Sequence, residues 1–321
     1  IAAMQRTAKA LAALDCLTGL SRAALKDRYV RPQITNSREG RISIHDGRHP
    51  MVEHALKREM FVPNDTELNH TDQEMIIITG PNMAGKSTYM RQVAVLTIMA
   101  QTGSFIPAKS ASFAPVDRIF TRVGAADDIS TGQSTFMVEM KEVSHILCNA
   151  TKNSLILLDE IGRGTSTYDG MSIARAVVEY LNSKVHAYTL FATHYHELSD
   201  MAAENEHIKN YTVTVKERGK EITFLRRIVP GSADKSYGIH VARLAGLPES
   251  LLKRADEILE GLEVEGIKEE PAAPVIRRKT ALNLFSSPII DELADLDVMS
   301  KTPIEAMEIL FRLSKEAKEG R

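Results

Sequence analysis

A glycine-rich segment at residues 80–87 constrains the fold of this chain more than any other feature of the sequence. It fits the pattern G-x-x-x-x-G-K-S without a mismatch. An apolar strand, Met75 to Ile78, ends just before it, and a helical pattern, Ser87 to Met99, begins at its end. Glycines let backbone N–H groups turn inward around phosphate oxygens, and a helix N-terminus adds partial positive charge. The segment therefore predicts a phosphate-binding loop and not merely a glycine turn with an exposed lysine.

Two side chains of this loop are predicted to act directly on a bound nucleotide. Lys86 is expected to bridge the β- and γ-phosphates, and the Ser87 hydroxyl is expected to hold Mg²⁺. The loop by itself does not distinguish ATP from GTP. The predicted nucleotide contacts along it are Gly80, Pro81, Asn82, Met83, Ala84, Gly85, Lys86, Ser87 and Thr88.

Apolar strands alternate with helical segments between residues 75 and 240. Leu155 to Leu158 and Ala187 to Ala192 are two further apolar strands, and Ser172 to Leu181 is a helix between them. Such a pattern is typical of a mostly parallel sheet that is flanked by helices on both faces. We therefore predict an α/β fold of the P-loop NTPase class, with this domain spanning residues 29–238.

The two ends of the chain are predicted to be helical. Residues 1–28 have the apolar stripe of a packing helix, and residues 239–262 form a helix-turn-helix. Residues 263–280 are charged and contain two prolines, which is typical of a flexible linker. The tail at 281–321 ends in a helix that opens on a capping box at 302–305.

Composition excludes several other classes. The net charge of -2 does not show the excess of basic residues that a chain needs to bind nucleic acid by itself. No apolar run is long enough to span a membrane, and the N-terminus lacks the pattern of a signal peptide. Cys16 and Cys148 are expected to be buried thiols of a reducing compartment, so we expect a cytoplasmic chain. Because Ile1 stands within a helical pattern, we also expect the chain to be part of a longer protein.

Two carboxylates follow the second apolar strand directly. In a P-loop fold that strand lies close to the loop, so we expect Asp159 to act on Mg²⁺ through a water and Glu160 to orient and deprotonate the attacking water. The alternative is a strand that ends in a solvated acidic turn. A second carboxylate next to the metal-binding one indicates hydrolysis.

Two other segments are candidates for phosphate contacts. His194 follows the third strand and is expected to donate a hydrogen bond to the γ-phosphate; the alternative is a structural histidine. Ser134 stands where a helix N-cap is expected. From spacing alone, this second helix start is equally well a simple cap or a site for a phosphate held by another subunit.

Together these segments resemble the ATPase domain of the MutS family of DNA mismatch repair proteins. The resemblance covers residues 1–262. The matching strings are Thr79 to Thr88, Ser134 to Met140, Asp159 to Ser166 and Phe191 to Tyr195, with Arg48 to Pro50 and Lys235 to Gly238 as further landmarks.

The resemblance implies an Mg-dependent ATPase of the ABC type, in which two ATP sites form across a homodimer. Lys86, Glu160 and His194 would be its catalytic residues, and Ser134 would reach the partner's ATP. Phe61 would stack on adenine. The helix-turn-helix would be the dimerisation element, and residues 1–28 would end the lever helices that connect the ATPase to DNA. The whole protein would couple nucleotide state to mismatched DNA at the nucleoid.

The chain departs from the family pattern in three respects. Ala84 stands where the loop commonly has Gly, at a variable position of the motif, so binding should survive. Arg226 stands where the family often has a His on the far face of adenine, and a guanidinium can also stack on a base. The parts that clamp DNA and recognise a mismatch are absent from this sequence, so mismatch recognition is not expected of this chain.

The tail carries a further partner prediction. Residues 281–285 resemble the short peptide by which bacterial repair proteins bind the sliding clamp, with Leu282, Leu284 and Phe285 as contacts, although Ala281 stands where Gln is usual. The other interpretation is a core contact for the last helix. The family further suggests a MutL-like partner and a tetramer built by the last helix.

Two rival functions stand beside the hydrolysing motor. One is a module that binds ATP without hydrolysing it, so that ATP only supports the dimer. Such a module would not need the adjacent Asp159 and Glu160. The family's nuclease-linked paralogue carries a nuclease domain for which the tail has no room.

Overall fold

A computed structural model of the chain describes most of the residues before position 268. The described ranges are 1–36, 40–56, 60–81, 84–124, 134–218, 221–232 and 237–267. Asn82, Met83, the landmark residues Lys235 and Ser236, and the tail with Leu282, Leu284 and Phe285 lie outside them. The chain divides into two units, Ile1–Ile258 and Leu259–Arg321.

Eight α-helices and ten strands are found in the described ranges. The helices are α1 Ala2–Lys26, α2 Pro50–Ala55, α3 Lys86–Gln101, α4 Thr135–Asn149, α5 Thr167–Tyr180, α6 Met201–Glu204, α7 Gly238–Leu244 and α8 Glu249–Ile267. The strands are β1 Gln33–Ile34, β2 Arg41–Gly47, β3 Asn64–Asn69, β4 Met75–Thr79, β5 Ser110–Phe113, β6 Ile119–Arg122, β7 Leu155–Asp159, β8 Tyr188–Ala192, β9 Ile208–Arg218 and β10 Glu221–Pro230.

A six-stranded sheet, in the order β10-β9-β4-β8-β7-β6, carries the phosphate loop after β4. Its strands run parallel except for β10, which is antiparallel to β9. The predicted α/β fold with a mostly parallel, helix-flanked sheet is thereby confirmed. Strand β8 lies between β4 and β7, and Ala192 at its end is in register with both Ile78 and Asp159. The carboxyl ends of three strands therefore meet at one edge of the sheet.

Alternate residues of these strands pack into two separate apolar layers. On β4, Ile76 and Ile78 join a layer that includes α3 and a second, four-stranded sheet in the order β1-β5-β2-β3. Met75 and Ile77 face the other layer, which includes α4 and α5. Because both faces are covered, the strands are apolar throughout, which is the pattern that the sequence displays.

Helix α5 begins earlier than predicted. The Ser166 hydroxyl caps it by accepting a hydrogen bond from the Asp169 amide at 3.3 Å, so its first turn includes polar residues that the apolar periodicity did not reveal. Helix α1 forms as predicted, but none of its residues is buried. The prediction of buried thiols was wrong: Cys16 and Cys148 are both exposed, since no residue of α1 is buried and Cys148 is not among the residues that α4 buries. No helix within the described ranges has the length and apolar character of a membrane span.

Two glycine backbones cross at the start of α5. A Cβ atom at Gly170 would lie 2.2 Å from the Gly162 carbonyl oxygen and 2.4 Å from the Tyr195 hydroxyl. Gly162 itself has a φ of 88°, in the left-handed region that favours glycine. The loop after β7 and the helix after it can therefore pack this closely only because both positions lack a side chain.

Gly170→Ala should destabilise the protein, although alanine normally favours a helix. The added methyl group meets backbone and a buried tyrosine, so we expect a loss of about 1–3 kcal/mol in the free energy of unfolding. Thermal unfolding followed by circular dichroism checks this. Gly19→Ala in α1 is the matched control, because nothing lies within 4 Å of its added Cβ. Equal melting temperatures for Gly170→Ala and wild type would contradict the prediction.

Candidate functional site

The phosphate loop leads directly into α3. Gly80 and Gly85 have φ values of 129° and 104°, and Gly85 is the N-cap of the helix. Lys86 is buried, and its ammonium group donates a hydrogen bond to the Gly80 carbonyl. Burial lowers the pKa of Lys86, while the nearby carboxylates of Glu160 and Asp159 oppose this shift. The lysine thus lies folded back across the loop, at the edge where the parallel strands end.

A cavity of 170 Å³ beside the loop contains both residues predicted to cover adenine. Phe61 and Arg226 line it together with Gly85 and Thr88 of the loop region. Val52, Leu56, Met60, Val62, Asn64, Tyr89 and Gln92 complete the lining. An aromatic ring and a guanidinium are both suited to stack on a base. The structure therefore brings together, next to the phosphate loop, two residues that are 165 positions apart in the sequence.

Arg226 lies on an irregular part of β10. The register of β10 against β9 shifts between Phe224 and Ile228, and Arg226 has a φ of 56°. The buried Asn64 amide holds this irregularity: its nitrogen donates to the Arg226 carbonyl at 3.1 Å, and its oxygen accepts from the Ile228 amide at 2.7 Å. Sequence reasoning missed Asn64, because its partners lie more than 160 positions away.

Asp159 and Ser87, the two predicted metal residues, are in contact. The Asp159 carboxylate, at the end of β7, accepts a hydrogen bond from the Ser87 hydroxyl, in the first turn of α3, although β8 separates β7 from β4, the strand that precedes the phosphate loop. Burial raises the pKa of Asp159, the Ser87 hydrogen bond opposes that shift, and the Glu160 charge adds to it. Two hard oxygen ligands at the phosphate edge fit Mg²⁺, which commonly takes one or two protein oxygens and completes its shell with waters and phosphates.

Glu160 is held in an unusual backbone conformation. Its φ is 54°, and its amide donates to the Ala192 carbonyl at 2.9 Å. Its carboxylate pairs with the guanidinium of Arg163, which is mostly exposed. Both residues line a cavity of 320 Å³ that also contains Lys86 and Ser87 of the loop. Glu160 therefore shares a cavity with the lysine and serine of the phosphate loop.

His194 lies at the same edge, one position beyond Thr193, which follows β8. Its ring is 4.1 Å from the ring of Tyr195. Partial burial lowers the pKa of His194, and the charges of Arg163 and Lys86 add to this, while Glu160 opposes it. A lowered pKa favours the neutral imidazole, which carries one N–H.

Ser134 caps α4. Its hydroxyl accepts a hydrogen bond from the Met137 amide at 3.2 Å, and the residue is exposed. Ser134 thus caps the helix, and its contact with a phosphate of another subunit stays a prediction. Its exposure leaves the same helix N-terminus open to a second molecule.

A third cavity, of 410 Å³, contains residues that sequence reasoning did not single out. Arg122 and Glu139 line it together with Asp159, Glu160 and Arg163. Gly124, Thr135 and Gly164 complete the lining. Arg122 is the last residue of β6 and pairs with Glu139 on α4 at 3.6 Å. Glu139 was part of a string that resembles the family, but nothing in the sequence marked it as buried beside the acidic edge.

Comparison with known proteins is consistent with this geometry. Residues 76–263 match the family described as MutS domain V. Proteins named DNA mismatch repair protein MutS are 52% identical in Methanococcoides burtonii, 51% in Acetivibrio thermocellus and 54% in Caldicellulosiruptor bescii. These alignments cover 98–99% of this chain but only 37–38% of each relative. The chain therefore spans less than two fifths of the length of these relatives.

Proposed function

The chain belongs to the MutS family of DNA mismatch repair proteins, and on that basis we propose that it is the ATP-binding, ATP-hydrolysing and dimerising part of such a protein. The observation that supports this best is the meeting of Lys86, Ser87, Asp159 and Glu160 at one edge of a parallel sheet. Ligands of α/β proteins bind at the carboxyl ends of such strands.

ATP would be held at both of its ends. The loop amides and the N-terminus of α3 would bind the phosphates, and Lys86 would turn from the Gly80 carbonyl toward the β- and γ-phosphates. Phe61 and Arg226 would stack on opposite faces of adenine in the adjoining cavity. The purine base would then contribute to affinity as well as the phosphates.

Hydrolysis would depend on the acidic pair. Ser87 and Asp159 would hold Mg²⁺, which supplies charge neutralisation at the phosphate oxygens when bound. Glu160 would exchange its contact with Arg163 for the attacking water, orient that water and accept its proton. His194 would donate an N–H to the γ-phosphate oxygen as negative charge develops there.

A second copy of the chain would complete each site. Ser134, exposed at the N-terminus of α4, would contact the γ-phosphate held by the partner. The pair α7 and α8 carries exposed Leu244, Leu251 and Ile258 and would add a dimer contact. Two ATP molecules between two chains would then link the nucleotide state to the distance between the subunits.

The activity of the longer protein extends this proposal. Domains outside this chain would bind mismatched DNA at the nucleoid of the cytoplasm, and α1 would connect the ATPase to them. A MutL-like protein would read the ATP-bound state. The tail would supply the contact with the sliding clamp and the step from dimer to tetramer.

A turnover assay tests the proposal against a module that binds ATP without hydrolysing it. The purified chain should release phosphate from ATP in the presence of Mg²⁺, and EDTA should abolish this release because the phosphate charge is then uncompensated. Phosphate release is followed with a coupled colorimetric assay. ATP binding without any phosphate release would favour the binding module.

A further inference from the structure

The backbone of Gly162 is held at both its N–H and its C=O by buried side chains. Its amide donates to the Glu139 carboxylate at 2.6 Å, and its carbonyl accepts from the Tyr195 hydroxyl at 3.2 Å. Glu139 and Tyr195 are only 5% and 4% exposed. A glycine peptide in a loop is ordinarily satisfied by water or by neighbouring backbone, so two side chains from distant elements indicate that its position matters.

The burial of Glu139 supports a specific role. A buried carboxylate costs several kcal/mol in lost hydration unless it is paired and hydrogen-bonded. Here one oxygen accepts the Gly162 amide, and the other lies 3.6 Å from the guanidinium of Arg122, itself 8% exposed. An apolar residue would satisfy the packing of α4 at lower cost, but it would leave the Gly162 amide without this partner, whereas Arg122 would keep its nearer ion pair with Glu142 at 3.1 Å.

Gly162 lies two residues after Glu160, and the backbone between them has little freedom. Glu160 has a φ of 54°, a conformation that costs a non-glycine residue about 1 kcal/mol or more and persists only where surrounding contacts impose it. One such contact is the Glu160 amide to the Ala192 carbonyl. The other is the close packing of the Gly162 backbone against Gly170.

We propose that Glu139 and Tyr195 are positioning residues. By fixing the backbone of Gly162, they hold the Glu160 carboxylate where it can act on the attacking water. This rests on the proposed function of Glu160. The proposed contacts also link three parts of the site through the backbone of Gly162. Glu139 lies on α4, which Ser134 caps, Tyr195 is adjacent to His194, and Gly162 lies two residues after Glu160. A displacement of α4 would therefore be transmitted through Gly162 to Glu160.

Tyr195→Phe is the main test, because it removes one hydroxyl and keeps the buried ring. Loss of one such hydrogen bond predicts a kcat for ATP hydrolysis lowered roughly threefold to tenfold, with the Kd for ATP within about twofold of wild type. Glu139→Ala should lower kcat more than tenfold. Glu139→Gln retains an acceptor oxygen for the Gly162 amide and should recover most of that loss.

Two further measurements separate positioning from general folding. The Gly162 amide should exchange with deuterium faster in Glu139→Ala, whereas the amides of β4 should exchange at the wild-type rate. Because both side chains act on the backbone of one residue, Tyr195→Phe should cost less in the Glu139→Ala background than alone. Glu179→Gln and Tyr180→Phe, at the end of α5 and away from the site, are the matched controls.

The outcomes distinguish this inference from the proposed function. A wild-type chain without Mg-dependent hydrolysis removes the proposed function. A hydrolysing wild type with unchanged kcat in Tyr195→Phe overturns only the positioning role. An equal loss of ATP affinity and kcat in Tyr195→Phe also overturns it, since the residue would then support the whole site. If Glu139→Ala does not fold, Tyr195→Phe and Glu139→Gln decide the matter.

Discussion

Replacing Glu160 by Gln is expected to slow ATP hydrolysis about 100- to 10,000-fold while leaving ATP affinity within a few-fold of wild type. The amide has the size of the carboxylate and retains an oxygen for the Arg163 guanidinium, so the loop should keep its shape. It cannot accept a proton from water, however. The chemical step should therefore fail although the nucleotide is bound.

Single-turnover hydrolysis and calorimetric titration with ATP measure the two quantities separately. Glu206→Gln is the matched control, because this exposed carboxylate lies in the turn before β9 and should leave hydrolysis unchanged. Equal turnover by Glu160→Gln and wild type would remove Glu160 from the mechanism.

The same variant also tests whether the chain dimerises when it binds ATP. If two chains share each ATP, slow hydrolysis should let the ATP-bound dimer accumulate, since the bound nucleotide shifts the equilibrium toward the state that contacts it twice. Light scattering of Glu160→Gln with and without ATP should show the increase in mass. A strictly monomeric chain under both conditions would leave Ser134 without a partner phosphate.

Lys86→Ala should have the second largest effect, by weakening ATP binding itself. Hydrogen bonds from a charged donor contribute about 1.5–3 kcal/mol each, so we expect the Kd for ATP to rise at least about tenfold. The buried position of Lys86 strengthens the expectation, because few waters compete for its ammonium group. Hydrolysis at low ATP concentration should fall with the affinity.

Titration of a fluorescent ATP analogue measures this change, and circular dichroism verifies that the variant is folded. Lys184→Ala, which removes an exposed lysine after α5, controls for the loss of one positive charge. If both variants lose affinity equally, the effect is one of overall charge and Lys86 has no specific contact.

The fold and the central part of the site could be predicted because their signals are local. The loop at 80–87 follows β4, Asp159 ends β7 and Glu160 follows it, and His194 stands two positions beyond the end of β8. Parallel strands place their carboxyl ends at one edge, so these groups had to meet. The order of the strands was less accessible: β8 intervenes between β4 and β7, and only the sheet itself reveals it.

The supporting residues could not be predicted for a different reason. Asn64, Glu139 and Tyr195 each act on a backbone group that is at least 23 positions away. A polar residue in a strand or helix pattern indicates an exposed face by default, and nothing in a single sequence distinguishes it from a buried one. Strands β9 and β10 were not predicted for a related reason, since the charged residues Lys216, Glu217 and Arg218 end β9 and resemble a solvated loop.

The exposure of both cysteines has a practical consequence. The chain contains two cysteines, Cys16 on α1 and Cys148 in the last turn of α4, and both thiols are open to solvent. Maleimide dyes can therefore be attached without adding or removing any residue. A dye at Cys148 would be attached to α4, the helix that connects Ser134 to the backbone of Gly162. A dye at Cys16 would be attached to α1, the helix that we propose leads toward DNA. Energy transfer between them would turn the unmodified sequence into an optical reporter of its own ATP cycle.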